Sequence, residues 1–266
     1  MRKTAFAALF LLFSLSVLAE NTTDWSKTYD LTGKPELRVQ AWEANVRIES
    51  WDQNKIEAHV MTHGWHIGGG DGLEIVEHQQ GNVVEIVLRR HSHIHFSFGI
   101  DNRRTELEIR MPRSAKVDVR SDDGKVEARG LQGELAFSSG DGHLLLEDLD
   151  GTLHARTSDG SVRVSGRFDV VDLHSQDGRV ELEARQGSKV QQPWDVRTSD
   201  GSVTIRVPQD LASDLEMHTS DDRITTNIPI VVEGKFDREH LEGKINGGGN
   251  RFTIRTSDGS IMLDKI

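Results

Sequence analysis

The chain of 266 residues has no cysteine, only five prolines and one tyrosine, and its aromatic residues amount to 6%. Without cysteine there is no thiol catalysis, no Cys-ligated zinc and no disulfide to stabilise an exported fold. A lipoprotein anchor, which needs a cysteine at the cleavage site, is excluded for the same reason. Long hydrophobic runs are missing beyond the start of the chain. The one apolar stretch, Ala5–Leu18, follows Met1-Arg2-Lys3 and leads into Ser16-Val17-Leu18-Ala19. A basic start, an apolar run short of the ~20 residues of a spanning helix, and small residues at its end read as a secretory signal peptide over 1–19, cleaved after Ala19.

Basic residues are also scarce. Losing Arg2 and Lys3 with the leader leaves 30 basic against 43 acidic residues, a net charge of −13. Such a surface lacks the clustered Lys and Arg that track phosphates, so no nucleic-acid partner is expected, and no membrane span is expected in the mature chain. The protein is expected to be exported, to the periplasm, the cell surface or the medium. The 247 residues after Ala19 suffice for one large β domain or two smaller ones.

What the sequence has in quantity is repetition. RTSDGSV stands at Arg156–Val162 and again at Arg197–Val203, with RTSDGSI at Arg255–Ile261 and HSQDGRV at His174–Val180. Aligned on the turn aspartate, seven copies appear, at Asp123, Asp141, Asp159, Asp177, Asp200, Asp221 and Asp258. The first three spacings are each 18 residues. Two residues before each aspartate stands a serine or threonine. Apolar residues fill the positions six and four before it and three after it, as in Val117, Val119 and Val126 of the first copy. Period two on both sides of a polar corner means that a strand enters and a strand leaves. Asp-Gly suits such a corner because glycine takes φ > 0 and aspartate bonds nearby backbone N–H groups. The sixth copy has Asp222 in the glycine position, so its corner is expected to be strained or to turn differently.

A weaker second corner falls midway, at Leu131-Gln132-Gly133 and Leu149-Asp150-Gly151. Each unit is therefore two strands and two turns. A hairpin meander fits the Asp-Gly steps, but a solenoid also explains why each column keeps one chemical character. A transmembrane barrel fails, because the alternate positions are Asp, Arg, Glu, His and Ser rather than a lipid-facing apolar band. The fold class expected is all-β: a β-solenoid, or β-helix, with roughly 18-residue coils and an irregular N-terminal β region.

The expected divisions are a leader at 1–19, an N-terminal β region at 20–112 and a repetitive solenoid at 113–266. The N-terminal region has strand candidates at Leu37–Val39, Val46–Ile48, Ile56–Val60, Leu73–Val76, Val83–Leu88 and Leu107–Met111. Asn45–Glu49 and Asn54–Ala58 read as degenerate early rungs. Residues 227–250, with Pro229 and Gly247-Gly248-Gly249, read as an excursion, after which the last copy docks as a C-terminal cap.

Three stretches carry a resemblance: IRMPRSAKVDVRSDDGKVEARG (Ile109–Gly130), the serial TSDGSV units, and LEGKINGGGNRFTIRTSDGSIML (Leu241–Leu263). Together they resemble the bacterial adhesin-like family known as DUF4097, from about residue 35 onward. The resemblance implies an exported β-helical domain labelled adhesin-like on architecture, and it brings no catalytic residues.

Each candidate chemistry has a plainer reading beside it. The corner aspartates are spaced unlike calcium-binding nonapeptide rolls, and turn chemistry accounts for them. Stacked carboxylates ~4.8 Å apart would suit sugar hydrolysis, yet nothing singles out one rung. The Ser and Thr before each corner point inward and are expected to bond backbone rather than act as nucleophiles. The column Arg120, Ser138, Arg156, His174, Arg197, His218 and Arg255 faces outward beside Asp118, Asp172, Asp195 and Glu216, and mutual compensation is the simplest account. His91, His93 and His95 share one strand face and are the weak candidates for a metal site, since ~6.5–7 Å spacing is wide for one ion. No cofactor and no catalytic residue is expected. The function expected is a non-catalytic, adhesin-like envelope module whose partner is a protein or polysaccharide surface. The alternatives are a carbohydrate-active enzyme on a β-helix and a periplasmic metal-binding protein using the His-rich segment. Any site is expected in the N-terminal region or along a sheet face, not in the thin core.

Overall fold

The structure, a computed structural model, describes residues 23–68, 72–90 and 103–266. It is all-β. The strands are, in chain order, β1 (Asp24–Asp30), β2 (Glu36–Ala41), β3 (Asn45–Trp51), β4 (Lys55–His63), β5 (Leu73–Gln80), β6 (Val83–Arg90) and β7 (Arg104–Pro112), followed by β8 (Ser114–Ser121), β9 (Val126–Arg129), β10 (Gln132–Ser139), β11 (Leu144–Thr157), β12 (Val162–Ser175), β13 (Val180–Ala184) and β14 (Trp194–Arg197). The last seven are β15 (Val203–Val207), β16 (Ser213–His218), β17 (Ile224–Thr226), β18 (Val231–Phe236), β19 (His240–Ile245), β20 (Arg251–Arg255) and β21 (Ile261–Lys265). All six strand candidates of the N-terminal region are strands; β1 is an addition.

The Asp-Gly corners do not make hairpins. β8 and β9 flank the first corner, yet β8 pairs in parallel with β2 and β10, while β9 pairs in parallel with β3 and β11. Each corner therefore passes the chain from one parallel ladder to another. In the first ladder Val117, Leu135, Leu153 and Val171 are successive register partners. In the second, Val126, Leu144, Val162 and Val180 are, so partners lie 18 residues apart in both. These side chains point inward, and none of the eight is more than 1% exposed. β11 and β12 run through the second corner and belong to both ladders, which joins the whole into one open sheet system. Bulk is complementary along the stack: Phe137 registers against Ala155, and both are buried.

The order of the rungs departs from the order of the chain at both ends. The last copy does not close the stack as expected. β20 lies between β14 and β16, and β21 lies between β15 and β17. Trp194 and Phe252 become neighbours, with their rings edge to face at 5.4 Å. The outermost rung is instead the sixth copy. At the other end β2 lies between β6 and β8, and β3 lies between β7 and β9. Asn45–Trp51 is thus a true parallel rung. The stretch Asn54–Ala58 is not, because β4 pairs antiparallel with β7 and β1. Antiparallel strands finish the stack elsewhere too: β5 on β6, and β19 and β18 beyond β16. Residues 227–250 hold that last pair. An antiparallel strand ends the parallel run without presenting the next rung of a repeat for pairing.

The corner glycines are explained by space and not by φ. None of Gly124, Gly142, Gly160, Gly178, Gly201 and Gly259 has positive φ, which corrects the sequence-based reason. A Cβ on any of them would fall closer than 3.0 Å to the corner carbonyl of the adjacent rung, Ala44 for Gly124 and the preceding glycine for the others. Glycine lets consecutive corners nest. Asp222 has no left-handed φ either, and its rung is the outermost, free to shift away from Gly259 because nothing parallel lies beyond it.

Candidate functional site

The repeat hydroxyls hold the nested corners together. Thr157 Oγ1 donates to Gly140 O (3.0 Å) and Gly142 O (3.1 Å) of the rung before it. Thr198 does the same with Gln176 O and Gly178 O, both at 3.1 Å, and Thr256 with Ser199 O (3.1 Å) and Gly201 O (2.8 Å). Within their own corners Ser139, Ser175, Thr198 and Thr256 accept from the glycine N–H, at 3.0 to 3.3 Å. Buried hydroxyls satisfied twice over are structural groups, not nucleophiles. The corner aspartates beside them are the exposed side of the turn. Among the described residues no group of three or more His, Asp or Glu is placed to hold a metal ion. His91, His93 and His95 lie outside the described residues.

The outward face of the first ladder carries the two charged columns as neighbours. With the last copy intercalated, the basic column reads Arg120, Ser138, Arg156, His174, Arg197, Arg255, His218 along the stack. The acidic column beside it supplies partners. Arg120 meets Asp118 at 3.2 Å, Arg156 meets Asp172 at 3.1 Å, Arg197 pairs with Asp195, and Arg255 pairs with Glu216. These groups are half-exposed, so each pair contributes little to stability, about 0–1 kcal/mol. Compensation is what the geometry supports.

Asp172 is the densest point of this network. Its Oδ2 meets His154 Nδ1 at 3.2 Å and its Oδ1 lies 3.0 Å from His174 Nε2. His174 Nε2 also lies 3.9 Å from Asp195, and its alignment with both carboxylates is that of an ion pair, not a hydrogen bond. Asp172, and then Asp195, raise the His174 pKa to about 9 against the cost of burial. His174 in turn holds Asp172 well below the ordinary carboxylate range, with His154 and Arg156 adding to it. Glu216 is lowered by Arg255, and Glu127 by Lys125 and Arg47. A general acid for sugar hydrolysis needs the opposite, a carboxyl raised toward neutrality.

Depressions occur on the outward faces. One, on the second ladder, has a volume of about 490 Å³ over Arg163, Ser165, Glu181 and Thr204. Another of about 490 Å³ lies on the first ladder over Ala136 and Ser138. A different kind of cluster sits near the N-terminal end, where the Arg90 guanidinium lies 5.7 Å from the Trp42 ring and 5.4 Å from Trp65. Arg90 covers both rings and reaches Glu43 at 3.4 Å, which makes the cluster a plug rather than an open stacking platform. Sequence reading missed both the depression at Ala136 and this plug. The first had a visible signal, since the second copy alone lacks a basic residue in the Arg/His column.

An all-β stack of parallel rungs with nested glycine corners and polar outer faces is a repeat-built scaffold. The chain belongs to the DUF4097 family: the model described as Toastrack DUF4097 matches residues 35–264. No curated protein matches it. Among solved structures it is similar to a "putative cell adhesion protein" from Clostridium sporogenes, at 12% identity over 91% of this chain and 99% of that one, with a TM-score of 0.43. It is similar as well to a "putative adhesin" from Bacteroides fragilis, at 8% identity over 91% and 97% of the two chains, with a TM-score of 0.40. A third, described as a "putative lipid binding protein" from Parabacteroides distasonis, is 13% identical over 92% and 98%, with a TM-score of 0.40. Among the described residues no helix is long and apolar enough to cross a membrane.

Proposed function

We propose that the protein is an exported, non-catalytic binding module of the cell envelope, a β-solenoid of roughly 18-residue coils whose long faces dock an extended polysaccharide or protein surface. The observation that carries this reading is the register of the first ladder, which sets outward charged or polar side chains in line at ~4.8 Å intervals, paired on the rungs around β10. Repeating ribs of that kind match a partner that is itself extended, and they offer a small molecule little enclosure. Support against a hydrolase comes from the face carboxylates, since Asp172, Asp195 and Glu216 are all held ionised by cations rather than raised.

A glycan array probed with labelled mature chain tests the reading. The expected result is retention on polymers that strengthens with chain length, with the polymer recovered intact. Release of shortened sugars from any retained polymer would replace the binding module with an enzyme.

A further inference from the structure

The second corner copy interrupts both outward columns of the first ladder at once. Where the other copies have arginine or histidine it has Ser138, and two residues earlier, where its neighbours have Asp118 and His154, it has Ala136. β10 sets Ser138 between Arg120 and Arg156 and Ala136 between Asp118 and His154. The truncated rung leaves the depression of about 490 Å³, floored by Ala136 and Ser138 and walled by Asp118, Arg120, His154 and Arg156.

Nothing in the fold calls for this gap. Alanine and serine are weak choices for an outward strand position, and an Arg–acid pair like Asp118–Arg120 on β8 or Asp195–Arg197 on β14 would fit the same register. The effect of the gap is to uncover cationic side chains. Two arginines face one aspartate around it, in a chain whose formal net charge is −11. Arg156 commits one terminal nitrogen to Asp172 at 3.1 Å, and Arg120 uses Nε and one terminal nitrogen on Asp118 at 3.3 and 3.2 Å. The rest of each guanidinium fork remains for a ligand. The two arginines stand two rungs apart, ~9.6 Å, so both can close on one anionic group between them.

The walls also narrow the class of ligand. The Phe137 ring is buried at 2% exposure, so the depression presents no aromatic face on which a neutral sugar would stack. An extended peptide would need a free strand edge, and β10 is already paired on both sides, by β8 and β11. Recognition has to come from side chains alone, through guanidinium groups, a hydroxyl and an imidazole.

We propose that this depression binds a carboxylated sugar unit of an acidic polysaccharide, with Arg120 and Arg156 on the carboxylate and Ser138 and His154 on the ring hydroxyls. The proposal rests on the binding-module reading and names its ligand class. The test is titration of the full mature chain with oligogalacturonate, with a neutral oligoglucan and polyglutamate as comparisons. The key variant is Ser138→Glu, which fills the gap and sets a carboxylate between the two arginines. The expected result is oligogalacturonate binding that weakens with salt, is absent for the neutral oligomer, and falls roughly tenfold or more in both Ser138→Glu and Arg156→Gln, while Ser138→Glu melts no lower than wild type. Oligogalacturonate binding that Ser138→Glu leaves intact, no oligogalacturonate binding by wild type, or equal binding of polyglutamate each overturns the proposal. Should another polymer bind on the glycan array with no response to Ser138→Glu, the depression fails as the site while the binding module stands.

Discussion

Replacing Gly160 with alanine separates two explanations of the Asp-Gly corner. Gly160 does not have positive φ, so alanine meets no backbone penalty there. Its Cβ would nevertheless sit closer than 3.0 Å to the Gly142 carbonyl. The two corners are tied by Ser158 N to Gly140 O at 2.8 Å and by Thr157 Oγ1 to Gly142 O at 3.1 Å. Relieving the clash forces these corners apart. Overpacking costs about 1–3 kcal/mol, and weakening two hydrogen bonds adds about 1 kcal/mol each, so about 3–5 kcal/mol is expected. Gly81→Ala is the control, because Gly81 has φ of +60° and no atom within 4 Å of its would-be Cβ. That substitution strains φ alone and is expected to cost about 1–2 kcal/mol. Urea unfolding of both variants reads the difference. If Gly160→Ala costs no more than Gly81→Ala, corner nesting is not what the glycines serve.

Two further outcomes follow from the charges. The His174 pKa is raised from 6.5 to about 9, so its contribution is present below pH 6.5 and is lost as the pH rises toward 9. Melting temperature is expected to decline across that window in wild type and to flatten in His174→Gln, and an NMR titration midpoint near 6.5 for His174 would contradict the pairing with Asp172. The corner aspartates stack as like charges, and Asp177 is raised by desolvation and by Asp200 and Asp159. Asp177→Asn is therefore expected to raise the melting temperature at low salt and to lose that advantage in high salt, whereas a lower melting temperature at every salt concentration would mean that the carboxylate is holding the turn.

Much of the architecture was legible in the columns. Val126, Leu144, Val162 and Val180 share one character because they share one interior line, and the Ser and Thr positions bond the corner backbone as their spacing implies. The rung order was hidden for the same reason. When Val203, Ile261 and Ile224 are interchangeable in a ladder, apolarity alone does not say which lies between the others. Three residues did mark the order. Trp194 and Phe252 are the aromatics of their column, and they stack together only if the seventh copy follows the fifth. Asp222, in a glycine position, is compatible only with a rung free to move on one side. The role of glycine itself was misread because close approach between rungs is a tertiary property, whereas φ preference is local. The depression at Ala136 and Ser138 was visible as a gap in a column but took on meaning only once Arg120 and Arg156 were placed on either side of it.

The absence of native cysteine makes the most direct test clean. Thr204 and Met262 are register partners, and Met262 is in turn the partner of Thr225. Adjacent rungs lie ~4.8 Å apart, within the 4.4–6.8 Å that a disulfide spans, and alternate rungs lie ~9.6 Å apart, beyond it. Under mild oxidation the double variant Thr204→Cys/Met262→Cys is expected to cross-link in high yield, and Thr204→Cys/Thr225→Cys is expected to stay reduced. Cross-linking of the second pair without the first would contradict the intercalated stack on which the faces, and the binding they are assigned, depend.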